Sequence, residues 1–441
     1  MLITQILYTK LTLPFRMLSM DLKNAVKKLA RPLYVACRNL YGKIDLKSLL
    51  GPLEKPLLRK TVLNRQNNKS KKIKLLVCIT WMKVGGVERV ILNTLEGLDK
   101  NKFEIYIITS LPNENKWEPK FKKHAKQIFH LPKVASKKNH SWFIAELAKR
   151  KECDSMLITN NIPAYEALPN IKPQNPKITI LDLLHTHGRP QEKDAFLPLS
   201  SRYDQYIDKH VVISNYLKNY FLRKYKVSSE KVEVIYNSID AETLNHTPSK
   251  AKWRLRLDPA KQKFIVCFVG RLADDKNPLR VIEIANILVN ERKFKNLLFV
   301  IAGEGPLKKK LIEVVDRYNL TKNVILLGHV EDVLELMALS DLVIITSDME
   351  GVPLTALEAM SVGTPVIALA VGGLPEIINH KKDGYLVRMA GNMAINFANQ
   401  IKYVIDHPEG NNKVKAMARK KVLYKFTSTN KRYEELLTKD K

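Results

Sequence analysis

The chain has 441 residues, of which 45% are apolar, with 74 Lys and Arg against 44 Asp and Glu and a net charge of +30. That length exceeds one ordinary domain and supports two sizeable cores. The apolar runs fall short of the roughly 20 residues a membrane span needs. The four cysteines show no metal-ligand spacing, and no recognition motif or basic-aromatic pattern accompanies the charge, which argues against nucleic acid as a partner.

The charge is concentrated at the start. Residues 1–72 hold sixteen Lys and Arg against Asp21, Asp45 and Glu54. The opening stretch is interrupted by Lys10 and Arg16 and has no small-residue cleavage site, so it is not read as a signal peptide. Leu22, Val26, Leu29, Leu33 and Leu40 follow helical spacing among Lys23, Lys27, Lys28, Arg31 and Arg38. This predicts a basic amphipathic helical extension, kinked at Pro32, that rests peripherally on the cytoplasmic face of an anionic membrane. Cys78 and Cys267 lie inside apolar runs and read as core residues of a reducing, cytoplasmic compartment.

From Lys74 onward, short β-rich runs alternate with amphipathic helical stretches, the pattern of parallel α/β sheets. Six runs in the first half read as strands: Ile73–Thr80, Phe103–Thr109, Ser155–Asn160, Ile178–His185, His210–Ser214 and Val232–Asn237. Six more follow: Lys263–Gly270, Asn296–Gly303, Asn323–Gly328, Asp341–Thr346, Pro365–Leu369 and Gly384–Val387. The basic segment Asp240–Gln262 lacks a clear pattern and reads as a linker. Two doubly wound domains are predicted, residues 73–245 and 246–415, with residues 416–441 as a C-terminal helical tail. Ligands of such sheets collect beyond the carboxyl ends of the strands, so two such domains facing each other would share a central cleft.

The glycine-rich and polar turns fall at those strand ends. "WMKVGGVERV" follows the first strand, with Gly85 and Gly86 opening a helix; "HTHG", with His185 and His187, ends a later one. "GRLADDKNP" carries Arg271 and Lys276 after the first strand of the second half, and "AGEGP" places Gly303 after the next. "MEGVPLTALEAM" sets Glu350 and Glu358 eight positions apart. An α-helix turns every 3.6 residues, so this gap does not stack both carboxylates on one face. Glu350 is expected in the loop, Pro353 as the first helical residue, and Glu358 in the second turn. The intervening helix start offers unpaired amides to an anion.

These residues resemble the retaining enzymes of glycosyltransferase family 4, of the two-Rossmann GT-B architecture. Glu350 and Glu358 match the family's E-x7-E motif. Arg271 with Lys276, "GEGP", "GGVE" and the run "MEGVPLTALEAMSVGTPVIALAVGGLPEII" also carry the resemblance. It covers roughly Lys74 to the C-terminus and is strongest in the second half. It implies a hexosyltransferase that moves sugar from a nucleotide-diphosphate donor to a lipid-linked or polysaccharide acceptor, with retention and without a divalent metal. A UDP-sugar is favoured over a GDP-sugar, no further cofactor is implied, and the setting would be cell-surface glycan biosynthesis. By the same resemblance Arg271 and Lys276 meet the leaving diphosphate, joined by Gly86, Gly303 and the backbone of Leu354, Thr355, Ala356 and Leu357. Glu358 would accept from the ribose, and Glu350 from the transferred sugar. His185 or His187 would lie near the attacking hydroxyl, with His185 preferred. The terminal helices would cross back to the first domain. Nucleotide-sugar 2-epimerases and phosphorylases share the architecture and form the alternative reading.

Overall fold

The computed structural model describes residues 72–187, 196–239, 250–258, 260, 262–427 and 430–438. The expected amphipathic helix of the basic extension lies outside the described residues.

The first sheet has seven parallel strands: β1 (Ile73–Ile79), β2 (Phe103–Thr109), β3 (Gln127–His130), β4 (Ser155–Ile158), β5 (Thr179–Leu184), β6 (Lys209–Val212) and β7 (Val232–Val234). Their order is β3-β2-β1-β4-β5-β6-β7. The second has six: β8 (Phe264–Val269), β9 (Leu297–Ala302), β10 (Val324–Gly328), β11 (Leu342–Ile345), β12 (Val366–Leu369) and β13 (Tyr385–Val387), in the order β10-β9-β8-β11-β12-β13. Leu75 to Cys78 and Leu297 to Ala302 are buried along their whole length. Strands covered on both faces have no solvated side, which is why the sequence shows continuous apolar runs there rather than alternation.

Strand order reverses between β1 and β4 in one sheet and between β8 and β11 in the other, while the paired strands stay parallel. A ligand crevice opens at such reversals, beyond the carboxyl ends of the paired strands. All twelve strands read from the sequence are present. The thirteenth, β3, has only four residues and one fully buried side chain, Phe129, too little for a visible period.

Several helices also escaped the pattern, among them His140–Arg150, Ile162–Ile171 and Met393–Asp406. His140–Arg150 is amphipathic but rich in polar residues. Ile162–Ile171 contains Pro163 and Pro169, which sequence rules treat as breakers. Pro163 falls in the first turn, where the missing N–H has no intrahelical partner to lose, and the Asn161 side chain caps the helix by accepting from Ala164. Within the presumed linker, Lys250–Leu257 is a helix. No described helix is long and apolar enough to cross a membrane.

The tail is two helices, Pro408–Lys425 and Asn430–Thr438. A division at residue 415 therefore falls inside one continuous helix, and the chain passes to the first sheet's domain at Phe426. The Phe426 carbonyl accepts from Ile239 at 2.9 Å, and its ring meets Tyr236 edge-on. Beyond it, Glu434 pairs with Lys102 at 2.6 Å, Arg432 pairs with Glu233 at 2.8 Å, and the Leu437 carbonyl accepts from Ser155 at 2.7 Å.

Candidate active site

The turn after β11 holds Glu350 in the loop, as its spacing predicts. Pro353 is the N-cap rather than the first helical residue, with extended backbone at ψ 129, and the helix runs Leu354–Ser361. Glu358 lies in that helix and is half-buried. No side chain caps this helix, and the Ala356 amide already donates to the Pro353 carbonyl at 3.1 Å. The amides of Leu354 and Thr355 are therefore the ones presented outward, while the Ala356 and Leu357 side chains anchor the helix in the core.

Lys276 ends a short 3-10 turn after β8 and donates from Nζ to Glu350 Oε1 at 2.7 Å. The Glu350 side chain is 8% exposed and that of Lys276 30% exposed. The turn holding Lys276 is pinned from beneath. Thr346 Oγ1 lies 3.0 Å from the carbonyls of both Lys276 and Asn277, and Asn277, at φ 46, donates to Asp348. Arg280, on the buried side of the helix Leu279–Asn286, bonds the Thr346 carbonyl and pairs with Asp348 at 2.8 Å. Arg271 is 63% exposed on the same turn and bonds both Asp275 oxygens at 2.9 Å. Lys276 and Glu350 thus meet directly, while Arg271 sits on the rim with a partner of its own.

Glycines let these loops touch backbone to backbone. A Cβ on Gly303, at φ +145, would lie 1.9 Å from the Gly270 carbonyl oxygen, and one on Gly372, at φ +55, would lie 1.7 Å from that of Glu350. Only glycine permits such positive φ together with such approach. Gly303 therefore earns its place through the packing of its loop on the Arg271 turn. Gly86 differs, because a Cβ there would meet nothing within 4 Å.

The first domain supplies the facing wall. A Cβ on Gly351 would come within 2.6 Å of the His185 carbonyl and 2.5 Å of Ile213, which places the Glu350 loop against the ends of β5 and β6. His185 Nε2 lies 3.1 Å from Thr159 Oγ1, whose proton goes to the Leu183 carbonyl. The network therefore assigns the ring proton to Nε2 and leaves Nδ1 as an acceptor. Burial pushes the His185 imidazole down to about 4, so it is neutral at pH 7. His187 instead stacks on Tyr220 at 4.6 Å, beside Tyr216. His185 is the histidine at the loop carrying Glu350.

Three positions escaped the motif reading. Lys83, beside Gly85 and Gly86, lies over the Trp81 ring at 3.5 Å. Burial lowers its pKa, opposed by nearby Glu88 and reinforced by the positive charge of Arg271, so a first-domain cation adjoins the Arg271 turn. Glu376 accepts from the amides of Asn215 and Tyr216 at 2.9 and 2.6 Å, from Asn215 Nδ2 at 3.1 Å and from the Tyr236 hydroxyl at 2.6 Å. A second-domain carboxylate thus meets the start of the first-domain helix Asn215–Tyr225, where the helix dipole favours negative charge. Arg280 is the third. A Ser200–His210–Asp204 chain, with both bonds at 2.8 Å, has the connectivity of a nucleophilic triad. Ser200 and His210 are fully buried, so no substrate reaches them and the chain is structural.

Residues 249–421 match the family described as glycosyl transferases group 1, and residues 84–243 match glycosyltransferase family 4. N-acetyl-alpha-D-glucosaminyl L-malate synthase of Bacillus anthracis is 28% identical over 374 residues, 81% of this chain and 94% of that one. UDP-Gal:alpha-D-GlcNAc-diphosphoundecaprenol alpha-1,3-galactosyltransferase of Escherichia coli is 30% identical over 198 residues, 44% of this chain. That match spans 51% of the relative's length. Among solved structures, Anabaena HepE in complex with UDP superposes with a TM-score of 0.69 at 20% identity, covering 83% of this chain and 99% of that one.

Proposed function

The chain belongs to the group 1 glycosyltransferases of GT-B fold, and we propose that it transfers a hexosyl unit from a UDP-sugar to a lipid-linked or polysaccharide acceptor, with retention and without a divalent ion. The setting is cell-surface glycan assembly on the cytoplasmic face of a membrane. The observation that carries this reading is the Lys276–Glu350 pair, 2.7 Å apart, placed where the strand order of the second sheet reverses and against the His185 backbone.

Breaking a glycosidic bond to a diphosphate leaves negative charge on the departing phosphate. No Asp-x-Asp pair stands at a strand end to recruit a metal for it. Arg271 and Lys276 supply fixed positive charge instead, one as a forked donor and one as a compact ammonium. The outward amides of Leu354 and Thr355 add donors that cost no reorganisation, and the open space at Gly86 admits the donor's phosphates close to the backbone. Glu358 takes the ribose hydroxyls. Glu350, held by Lys276, accepts from hydroxyls of the transferred sugar, and neutral His185 offers Nδ1 to a further hydroxyl.

The leaving phosphate takes the acceptor's proton in a front-face displacement. The acceptor oxygen bonds the anomeric carbon as the phosphate oxygen departs from the same side. The protein's part is then position and charge rather than a general base. The Escherichia coli relative is named for a UDP-Gal donor and a diphosphoundecaprenol acceptor, which supports UDP and a lipid-linked acceptor in first place. The test is turnover of a panel of UDP- and GDP-sugars with polyprenyl-diphosphate-linked glycans, in the presence of EDTA. Transfer from a UDP-sugar, with the product's anomeric configuration unchanged, is the expected result. Donor consumption without acceptor, giving an epimerised sugar, would replace the proposal with the epimerase.

A further inference from the structure

The outer face of the Pro408–Lys425 helix carries a pattern that the transfer site does not use. Its inner face is built from Asn411, Val414, Ala418 and Val422, all buried, and packs on the Leu354–Ser361 helix. Outward, Met417 is 51% exposed, Leu423 46% and Tyr424 84%. Exposed Lys413, Arg419, Lys420 and Lys425 lie among them. An open depression of about 750 Å³ is bounded by Gly363, Lys415, Arg419, Lys420, Leu423 and Tyr424. No carboxylate lines it, and Glu409 is the helix's one acid against six Lys and Arg. Lys421 alone of these is paired inward, with Asp383 at 2.9 Å.

We propose that this face docks on an anionic lipid bilayer, with Leu423, Met417 and Tyr424 at headgroup depth and the surrounding cations on lipid phosphates. Apolar and aromatic side chains ringed by Lys and Arg, with nothing negative between them, are complementary to an interface that is apolar below and anionic above. A second copy of the chain would bring the same positive face against itself. The basic residues 1–72 carry the same sign, so charge opposes their covering it. The depression lies beside Gly363, just past the C-terminal end of the helix whose N-terminal end follows Glu350, and a docked bilayer therefore leaves the Glu350 loop uncovered. The inference rests on the functional reading only in taking the acceptor to be membrane-borne; the surface is read from the helix itself.

The test uses the full chain. Tyr424→Trp adds a fluorophore to the face, and its added emission is followed on vesicles of phosphatidylcholine alone or mixed with phosphatidylglycerol, with brominated acyl chains as quencher. Quenching and a blue shift on the anionic vesicles only are expected. Lys415→Glu, Arg419→Glu and Lys420→Glu combined should weaken vesicle partition by about 100-fold or more, while stabilisation by UDP stays as in the parent and reports an intact donor site. Added emission that is not quenched on vesicles that still bind the chain would overturn the proposal, as would wild-type partition of the charge-reversed variant. Concentration-dependent self-association abolished by Leu423→Ser would overturn it in favour of a contact between copies. Failure of UDP to stabilise the parent would count against the donor reading and leave the vesicle result standing.

Discussion

At Glu350 the carboxylate is nearly buried and holds Lys276, so removing it releases a cation as well as an acid. Glu350→Ala should lose most transfer activity while still binding UDP, because the freed ammonium stays beside the phosphate position. Normal turnover of this variant with its true donor would contradict the assignment. Lys276→Ala removes a charge-assisted donor worth roughly 1.5–3 kcal/mol, so its rate should fall at least about tenfold. His185 gives a pH test. Its folded pKa of about 4 lies below the ordinary imidazole value of 6.5, so as pH falls the unfolded chain protonates first. Stability therefore drops between about pH 6.5 and about pH 4. His185→Gln should flatten that part of the profile in denaturant titrations at successive pH values; an unchanged slope would show the imidazole to be solvated.

The strand-end loops work as paired elements. The loop after β12 lies on the Glu350 loop through Gly372, whose φ of +55 and 1.7 Å approach leave no room for a methyl group. Gly372→Ala should cost at least about 1–2 kcal/mol from backbone conformation alone, and more from displacement of the Glu350 carbonyl, read as a lower melting temperature together with lost transfer. Full activity would mean that the loop shifts freely. These loops were legible because glycine and charge stand out after an apolar strand: Arg271, Lys276, Gly303 and Glu350 all come from such turns, and Glu358 from the helix that follows one. The prolines of Ile162–Ile171 obscured a helix that Asn161 caps, and four-residue β3 was too short to show a period. Arg280 and Glu376 were not legible, because their meaning is their partners, 66 residues away for Thr346 and 160 for Tyr216. Nothing local marks a buried Arg in an amphipathic helix as the brace of a motif three strands later.

Across the whole molecule, Glu376 and the terminal helix tie the second domain to the first. Glu376 meets the start of the Asn215–Tyr225 helix, Asn237 bonds the Val352 carbonyl at 2.6 Å, and Glu434 reaches Lys102. Glu376→Ala removes four accepted bonds and leaves two helix-start amides without that partner. Calorimetry should then show the single unfolding transition lowered and broadened toward two. An unchanged transition would mean that the tail and the Asn237–Val352 contact couple the domains without Glu376. Sequence period predicted both sheets but not this coupling, which depends on side chains that meet only after both have formed.

On the proposed function, Arg271 and Lys276 neutralise the donor's diphosphate without a divalent ion. The most direct measurement of this is the melting temperature of the wild type and of Lys276→Ala with UDP, in EDTA. Full stabilisation of the wild type, about 2.7 kcal/mol at 100 times its dissociation constant, with most of it lost in the variant, is the predicted result. Stabilisation that vanishes in EDTA and returns with a divalent ion, or that survives intact in Lys276→Ala, would contradict it.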